Sequence, residues 1–596
     1  MRFTLAIICL AMKKQYQEIL NRTLSSSLVF LWLVLLFPSN LFFQSILSNH
    51  IIISVSVFIS ACFAGISMLI AIINKRILQI TITDILVTCY FIYTIFNAFI
   101  IRPNPVTDIL ILEYLLVAPI YVSVRMMTNK EKNHELTIIM SIGILEAIFI
   151  MLQAYGLLES RHLLFNFTGS FLNPGLVGCF IACSLCISIY YLITIHQPLK
   201  KIFIGASSAL LSYTLMLTNS RAGWLAAIIG ICYLLWNSKN NLIILGRLQL
   251  KKNFIAKIIL MTTILCGIIF FYHYKKASAD GRLFIWKVGI EMVKEKPLTG
   301  HGIGMFRSKF PLYQATFFKQ NPNSNNAFVA GNPDNPFNEY LSILIMQGFI
   351  GFTLLIIALL SIYIHHPVSK KQKMQQAFLL TFCVFAFFSY PIAHYRTLIL
   401  FPFFAAILPA KQILTSHNQK IRYILFTPIV LLGMYFSVRT INEYSKLEQA
   451  YELQYKIANE KYEKIKYDSI LLENYYIFVG SKLPNTEEFN IIKDYVDLYP
   501  SPTGLCELGR GYKAINDFNQ AKECFIFASN INPSLITPYY ELFLLYQEEG
   551  DINNMKKTGE MILHKKIKKE STTSIKIKAN VKKALNKLQN HKKGLH

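Results

Sequence analysis

Charge is the scarcest commodity in this sequence. Only 15% of its 596 residues are Asp, Glu, Lys or Arg, against 54% hydrophobic. That balance excludes an ordinary soluble enzyme, whose surface needs about a quarter of all residues charged. Acidic residues are the rarer kind, 33 against 59 basic ones, for a formal charge of +26. Such an excess can signal nucleic acid, but here Lys and Arg fall in short loops between apolar runs, where they orient a membrane chain. The 11 cysteines show no metal-ligand spacing and sit mostly inside apolar segments, as small core residues do. Cys506 and Cys524 are the exceptions, and their pairing stays open. A secretory cleavage site is missing as well. MRFTLAIICLAM is too short to span and leads into Lys13 and Lys14, so it reads as an interfacial segment or as the stretch before a start at Met12.

What the chain has in quantity is apolar runs of about 20 residues, the length that crosses the hydrocarbon core of a bilayer. They recur from Leu28 to Val438 and predict an all-α polytopic membrane protein with about 12–13 spanning helices. Basic residues alternate between connections: Lys13, Lys14 and Arg22, then Lys75 and Arg76, then Arg125, Lys130 and Lys132, and so on to Lys411, Lys420 and Arg422. The positive-inside rule makes these cytoplasmic. The expected organisation is an N-terminal cytoplasmic or interfacial segment, 1–26, and a membrane domain, 27–438, whose large polar loop, 275–336, faces the periplasm. A helical domain, 439–596, follows on the same side if Ile424 to Val438 crosses, and it ends in a Lys-rich tail.

One window of that last domain fits a known repeat. Leu505, Leu508, Gly509, Tyr512, Phe518, Ala521, Phe525, Ala528 and Pro533 occupy the signature positions of a tetratricopeptide repeat. A degenerate copy follows at Tyr539, Leu542, Tyr546 and Gly550, with Phe543 where a small residue belongs. About three units are needed to bury a continuous core, so helices between Lys446 and Leu498 are expected to complete the stack. The Lys-rich end from Lys565 reads as a solvated capping helix, or as a surface for anionic headgroups or acidic partners.

Candidate chemistry gathers around the polar loop. Arg221, after Ser220 in LTNSRAGW, stands between two apolar runs at the membrane boundary. There it is either an interfacial anchor beside Trp224 or a planar fork of donors for phosphate oxygens. Arg282 opens an amphipathic surface helix, where helix N-terminal N–H groups would add to an anion site. Gly300, Gly302 and Gly304 let the PLTGHGIGMF turn bend or approach a ligand, and His301 lies within it. Asp334, Asn335, Asn338 and Glu339 form a polar rim that helix capping alone would also explain.

Taken in order, TNSRAGW around Arg221, GRLFIWKVGIEMVKEKPLTGHGIGMF around Arg282, and FNEYLSILIMQGFIG from Phe337 resemble the signatures of the O-antigen ligase and polymerase superfamily, over roughly residues 200–365. The resemblance implies a glycosyltransferase of the bacterial inner membrane that needs neither metal nor cofactor. Its members move a glycan from a polyisoprenyl diphosphate to an acceptor hydroxyl on the periplasmic face. That acceptor is the lipid A-core in ligases, the end of another lipid-linked glycan in polymerases, and a protein side chain in related oligosaccharyltransferases. Carried onto this chain, Arg221 and Arg282 would hold the diphosphate. Where many ligases have His before the matched Asn, this chain has Phe337, which leaves Glu339, Asp334 or His301 as proton acceptor, Glu339 first. Ser220, His301, Asp334, Asn335 and Asn338 are the expected substrate contacts. The expected partners are the lipid-linked donor, a lipid or glycan acceptor, membrane lipids and a protein docking on the repeats, with no nucleic acid. A ligase is expected first and a polymerase second. A non-catalytic membrane scaffold presenting its repeats is the reading from another class. A transporter is disfavoured, since neither interrupted-helix repeats nor an intramembrane charge pair is visible.

Overall fold

The computed structural model describes residues 48–593 except for 74–79, 239–271, 365–368, 409–411, 415–426, 453–484, 568–570 and isolated positions near 105 and 161–172. Helices dominate it. The first group is α1 (Ser48–Ile73), α2 (Ile82–Phe96, prolonged by a π-helical turn at Asn97–Ile101), α3 (Thr107–Met126), α4 (Asn129–Ala154), α5 (Pro174–Thr194), α6 (Pro198–Leu217) and α7 (Arg221–Asn237). After the gap come α8 (Lys276–Glu295), α9 (Met305–Gln320), α10 (Glu339–Ile364), α11 (Lys370–Phe388), α12 (Tyr395–Leu398), α13 (Leu400–Ile407) and α14 (Thr427–Glu452). A short antiparallel pairing joins β1 (Ile80–Thr81) to β2 (Gln412–Leu414).

Among the described residues, Ile82–Ile101, α4, α5 and α10 are long and apolar enough to cross a membrane, and five shorter apolar helices, α7 among them, accompany them. Four is fewer than the about 12–13 spans expected from run length. The runs at 28–47 and 253–271 lie outside the described residues, and α6 and α11 open on the charged turns Lys200–Lys201 and Lys370–Lys373. The last expected crossing, Ile424 to Val438, lies partly outside them; from Thr427 onward α14 runs unbroken through the expected boundary at 438/439.

The bundle is organised on α5, which is buried on every side from Leu176 to Ser188. A helix apolar all round must be central, because it has no face to offer water or lipid. Phe180 of α5, Phe378 and Phe382 of α11 and Phe403 and Phe404 of α13 fill one apolar core with it. Cys179, Cys183 and Cys186 are buried free thiols on α5, small enough to let neighbouring helices approach. Arg125, expected as a loop charge, is instead paired inside the bundle. Its Nε and Nη2 donate to the two oxygens of Asp84 at 2.8 and 2.9 Å, and Tyr121 donates to the same carboxylate at 2.7 Å. A buried charge is tolerable only when satisfied in this way, and here it locks α2 to α3.

The α10 helix is broken at Gly348, where φ is +66°. Broken backbone inside a membrane domain must find partners within the protein. The PLTGHG loop supplies them: Phe349 and Ile350 donate to the carbonyls of Pro297 and Leu298 at 2.8 and 3.2 Å, while His301 and Gly302 donate to Ile345 and Met346 at 2.8 and 2.9 Å. The two segments lie so close that a Cβ on Gly348 would stand 2.2 Å from the Leu298 carbonyl oxygen, and one on Gly300 (φ +70°) 2.4 Å from the Met346 carbonyl carbon. Asn97, in the π turn, donates to the Thr299 carbonyl at 2.9 Å, and Tyr93 to that of Gln347 at 2.9 Å. The glycines thus serve a backbone splice between loop and helix.

Beyond α14, α15 (Asn485–Leu498), α16 (Pro502–Ala514), α17 (Phe518–Ile531), α18 (Thr537–Glu548), α19 (Ile552–His564) and α20 (Thr572–Lys593) pack in succession around a second core. Phe525 packs on Gly509, whose added Cβ would meet the ring at 2.4 Å, and Ala521 and Ala528 are fully buried. Small residues at those places let α16 and α17 close up. Phe543, the bulky residue of the expected second copy, packs on Gly559 of α19, whose added Cβ would meet its ring at 3.0 Å. Ile492 and Val496 of α15 and Ile577 and Val581 of α20 join the core, and Cys506 and Cys524 are free thiols within it.

These helices touch the polar loop. Ala315 of α9 enters their core, Ser308 donates to the Leu498 carbonyl at 2.5 Å, and Gln314 donates to that of Ile531 at 2.5 Å.

Candidate active site at the two boundary arginines

The turn Thr218–Asn219–Ser220 brings the chain out of α6 and straight into α7. Asn219 takes φ +56°, a conformation Asn tolerates, and Ser220 caps α7 by accepting the Gly223 N–H at 3.3 Å. Arg221 is therefore the first helical residue, at the positive end of the helix dipole. Its guanidinium reaches across to α8, donating to the Lys275 carbonyl at 3.4 Å and to Ser278 Oγ at 3.2 Å.

Ser278 and Arg282 are four residues apart on α8 and share a face. The sequence places Arg282 at the opening of its helix; α8 begins at Lys276, so Arg282 sits in the second turn and away from the free N–H groups. Its Nη1 donates to the Phe388 carbonyl at the end of α11, at 2.6 Å, and its guanidinium lies 5.1 Å from the Phe337 ring centroid. One turn on, Trp286 donates to the Pro336 carbonyl at 2.8 Å. So α8 fixes both Arg282 and the segment that carries Phe337.

Arg221, Arg282 and Lys275 line one cavity of about 400 Å³. Burial above all, then the neighbouring charge of Arg221, pushes the Arg282 pKa down to about 10, and burial followed by both arginines lowers that of Lys275. Like charges held together in a half-dry site call for an anion between them. Helix ends add to the field. Asn173 caps α5 by accepting the Gly175 N–H at 2.8 Å, and Asn173, Pro174 and Gly175 line the cavity together with Ser220 and Ala222 of α7. Two helix N-termini therefore open onto it. Asn173 also donates to the Tyr390 hydroxyl at 2.7 Å, which secures the far wall against Phe337, whose ring meets Tyr390 edge-on at 5.2 Å. Among the described residues lining this cavity there is no carboxylate and no histidine.

Of the residues expected from sequence, Ser220, Arg221 and Arg282 meet here. Glu339 does not line the cavity; it is buried, with Oε1 accepting the Ile392 N–H at 2.6 Å. Asn338 is buried too, and its Oδ1 accepts the Leu341 N–H at 3.0 Å, a helix cap. Asp334 pairs with Arg307 at 3.0 Å, and Asn335 lies in the same connection, outside the cavity lining. His301 belongs to a separate cavity and donates from Nε2 to the Met292 carbonyl at 2.9 Å. Lys275, Asn173 and Tyr390 were not anticipated. An N-P-G step before an apolar run announces the Asn173 cap, whereas nothing in the local sequence marks Lys275 or Tyr390.

Comparison with the curated proteins gives no match, and comparison with the solved structures gives none either. Residues 206–356 match the family model described as O-Antigen ligase, which supports glycosyl transfer of the ligase or polymerase type on lipid-linked glycans at a membrane. That matched stretch contributes Arg221, Lys275 and Arg282, the whole cationic side of the cavity.

Proposed function

We propose that the chain transfers a glycan from a polyisoprenyl diphosphate to an acceptor hydroxyl on the periplasmic face of the bacterial inner membrane, as an O-antigen ligase-like enzyme with the lipid A-core as acceptor. The observation that carries this reading is the meeting of three cations and two helix N-termini in one cavity at the end of apolar helices. In the reaction the acceptor oxygen bonds to the anomeric carbon as the bond from that carbon to the diphosphate oxygen breaks. The leaving diphosphate gathers negative charge, and fixed cations that need no reorganisation stabilise it most. Arg221, Lys275 and Arg282 supply that charge from side chains, so the reaction needs no metal.

The acceptor proton must also go somewhere. With Glu339, Asp334 and His301 engaged elsewhere, the acceptor proton passes to a diphosphate oxygen, which requires the hydroxyl to attack on the face from which the diphosphate departs. Glu339 then acts by positioning: it holds the turn at Ile392, next to Tyr390. The C-terminal helices are a tetratricopeptide-like periplasmic domain that steadies the loop from α9.

The glycan profile of a deletion strain tests the reading. Long chains stranded on the lipid carrier with a bare acceptor are expected of a ligase. Single units without long chains would make the enzyme a polymerase, and an unchanged profile would favour the scaffold.

A further inference from the structure

A second cavity, of about 970 Å³, lies between the C-terminal half of α8 and one side of α9. Four basic side chains line it, Arg102, Lys287, Lys296 and Lys309, against two acidic ones, Glu291 and Glu295. The acids already have partners within the protein. Glu291 pairs with Lys294 at 2.8 Å, and Glu295 accepts the hydroxyl hydrogen of Tyr313. No carboxylate among the described residues pairs with Lys296 or Lys309, while Lys287 rests over the Phe317 ring at 4.8 Å. The cavity therefore keeps unmatched positive charge beside the ring of Tyr313. Aromatic faces suit the C–H surface of sugar rings, and cations suit acidic substituents on them. His301, its pKa held below the ordinary value chiefly by burial, is a neutral hydrogen-bonding group in the same wall.

We infer that this second cavity is a saccharide subsite for an acidic segment of a glycan, one bearing uronate or phosphate groups. The α8 helix connects it to the arginine cavity. Arg282 and Glu291 are about 13 Å apart along the helix axis, at 1.5 Å per residue, but on opposite faces of it, so a glycan that reaches both cavities passes around α8. That the bound segment belongs to the chain being transferred, or to its acceptor, rests on the proposed reaction. Binding of an acidic saccharide does not.

The test uses the full-length chain in detergent, with tetragalacturonate as acidic probe and maltotetraose as uncharged probe, followed by titration calorimetry. Tetragalacturonate is expected to bind saturably and more tightly than maltotetraose. The pair Lys296→Gln and Lys309→Gln should weaken it about tenfold, as loss of two partly solvated charge contacts predicts, whereas Arg221→Ala with Arg282→Ala should leave it unchanged. Absence of saturable binding, equal affinity for maltotetraose, or loss only in the arginine pair would each overturn the subsite. In a transfer assay, the lysine pair should raise the KM for the donor if the segment is the donor's, or for the acceptor if it is the acceptor's. A change in neither counts against it. Binding that survives while transfer is absent from the unsubstituted protein would leave the subsite standing and sink the proposed reaction.

Discussion

Phe337 holds its ring 5.1 Å from the guanidinium of Arg282 while its own backbone stands at φ +53°, a left-handed conformation rarely taken by a bulky residue. Strain of this kind persists only where the surroundings enforce it, and it collects at functional sites. Here the enforcing contacts are Trp286 on the Pro336 carbonyl and Tyr390 against the ring. The ring occupies the place where His is common in the resembled ligases, and it offers Arg282 an aromatic face instead of a base.

Phe337→Leu should keep the apolar wall but lose that face. A partly buried cation over an aromatic ring contributes about 0.5–2 kcal/mol, so kcat/KM should fall roughly two- to thirtyfold, with thermal stability little changed. An unchanged kcat/KM would show that the ring does not align Arg282.

Glu339→Gln separates positioning from proton transfer. Gln keeps an oxygen to accept the Ile392 N–H, so activity within about threefold of the parent is expected, whereas Glu339→Ala leaves a buried donor unmet at about 1–3 kcal/mol. If Glu339→Gln abolishes transfer while folding is intact by size-exclusion and melting, Glu339 is a base after all.

Gly348→Ala tests the splice between loop and helix. The new Cβ would stand 2.2 Å from the Leu298 carbonyl oxygen, and φ +66° with ψ −169° is a region essentially reserved for Gly, costing other residues about 1–3 kcal/mol. Membrane abundance should collapse. Normal abundance and melting would mean that the α10 break is not held as described.

Gln314→Ala tests the coupling of the C-terminal helices to the loop. The substitution leaves the carbonyls of Ile531 and Gly331 without this donor. Proteolysis after α14 should quicken while the membrane bundle keeps its melting behaviour. Equal protease resistance would show that the two parts do not depend on this contact.

Much of this was readable in the chain. Apolar runs announce the membrane helices because a bilayer demands length and composition together, and Arg221 and Arg282 stand out because charge beside such runs must be explained. What sequence could not supply was convergence. Lys275 joins the cavity only because Arg221 reaches across to α8, and the α5 N-terminus enters it only through the packing of α5 against α7. Glu339 looks acceptor-facing beside Asn338, yet successive residues in a first helical turn point in different directions, and its carboxylate went under the 391–394 turn. The glycines at 300, 302 and 304 were visible as bendable backbone, but their partner, the break at Gly348, lies more than forty residues away.

The central claim is that Arg221 and Arg282 act together on a diphosphate. The most direct test is single-turnover transfer from a purified polyisoprenyl diphosphate-linked glycan by Arg221→Ala, Arg282→Ala and the double variant, at matched membrane abundance and with a chelator present. The account predicts parent activity that is indifferent to the chelator, and a loss of at least about a hundredfold for each single variant, the scale of removing one fixed donor from a developing anion. The double variant should be little worse than either single one, since groups that serve one charge are not additive. Near-parent rates in both single variants would contradict it.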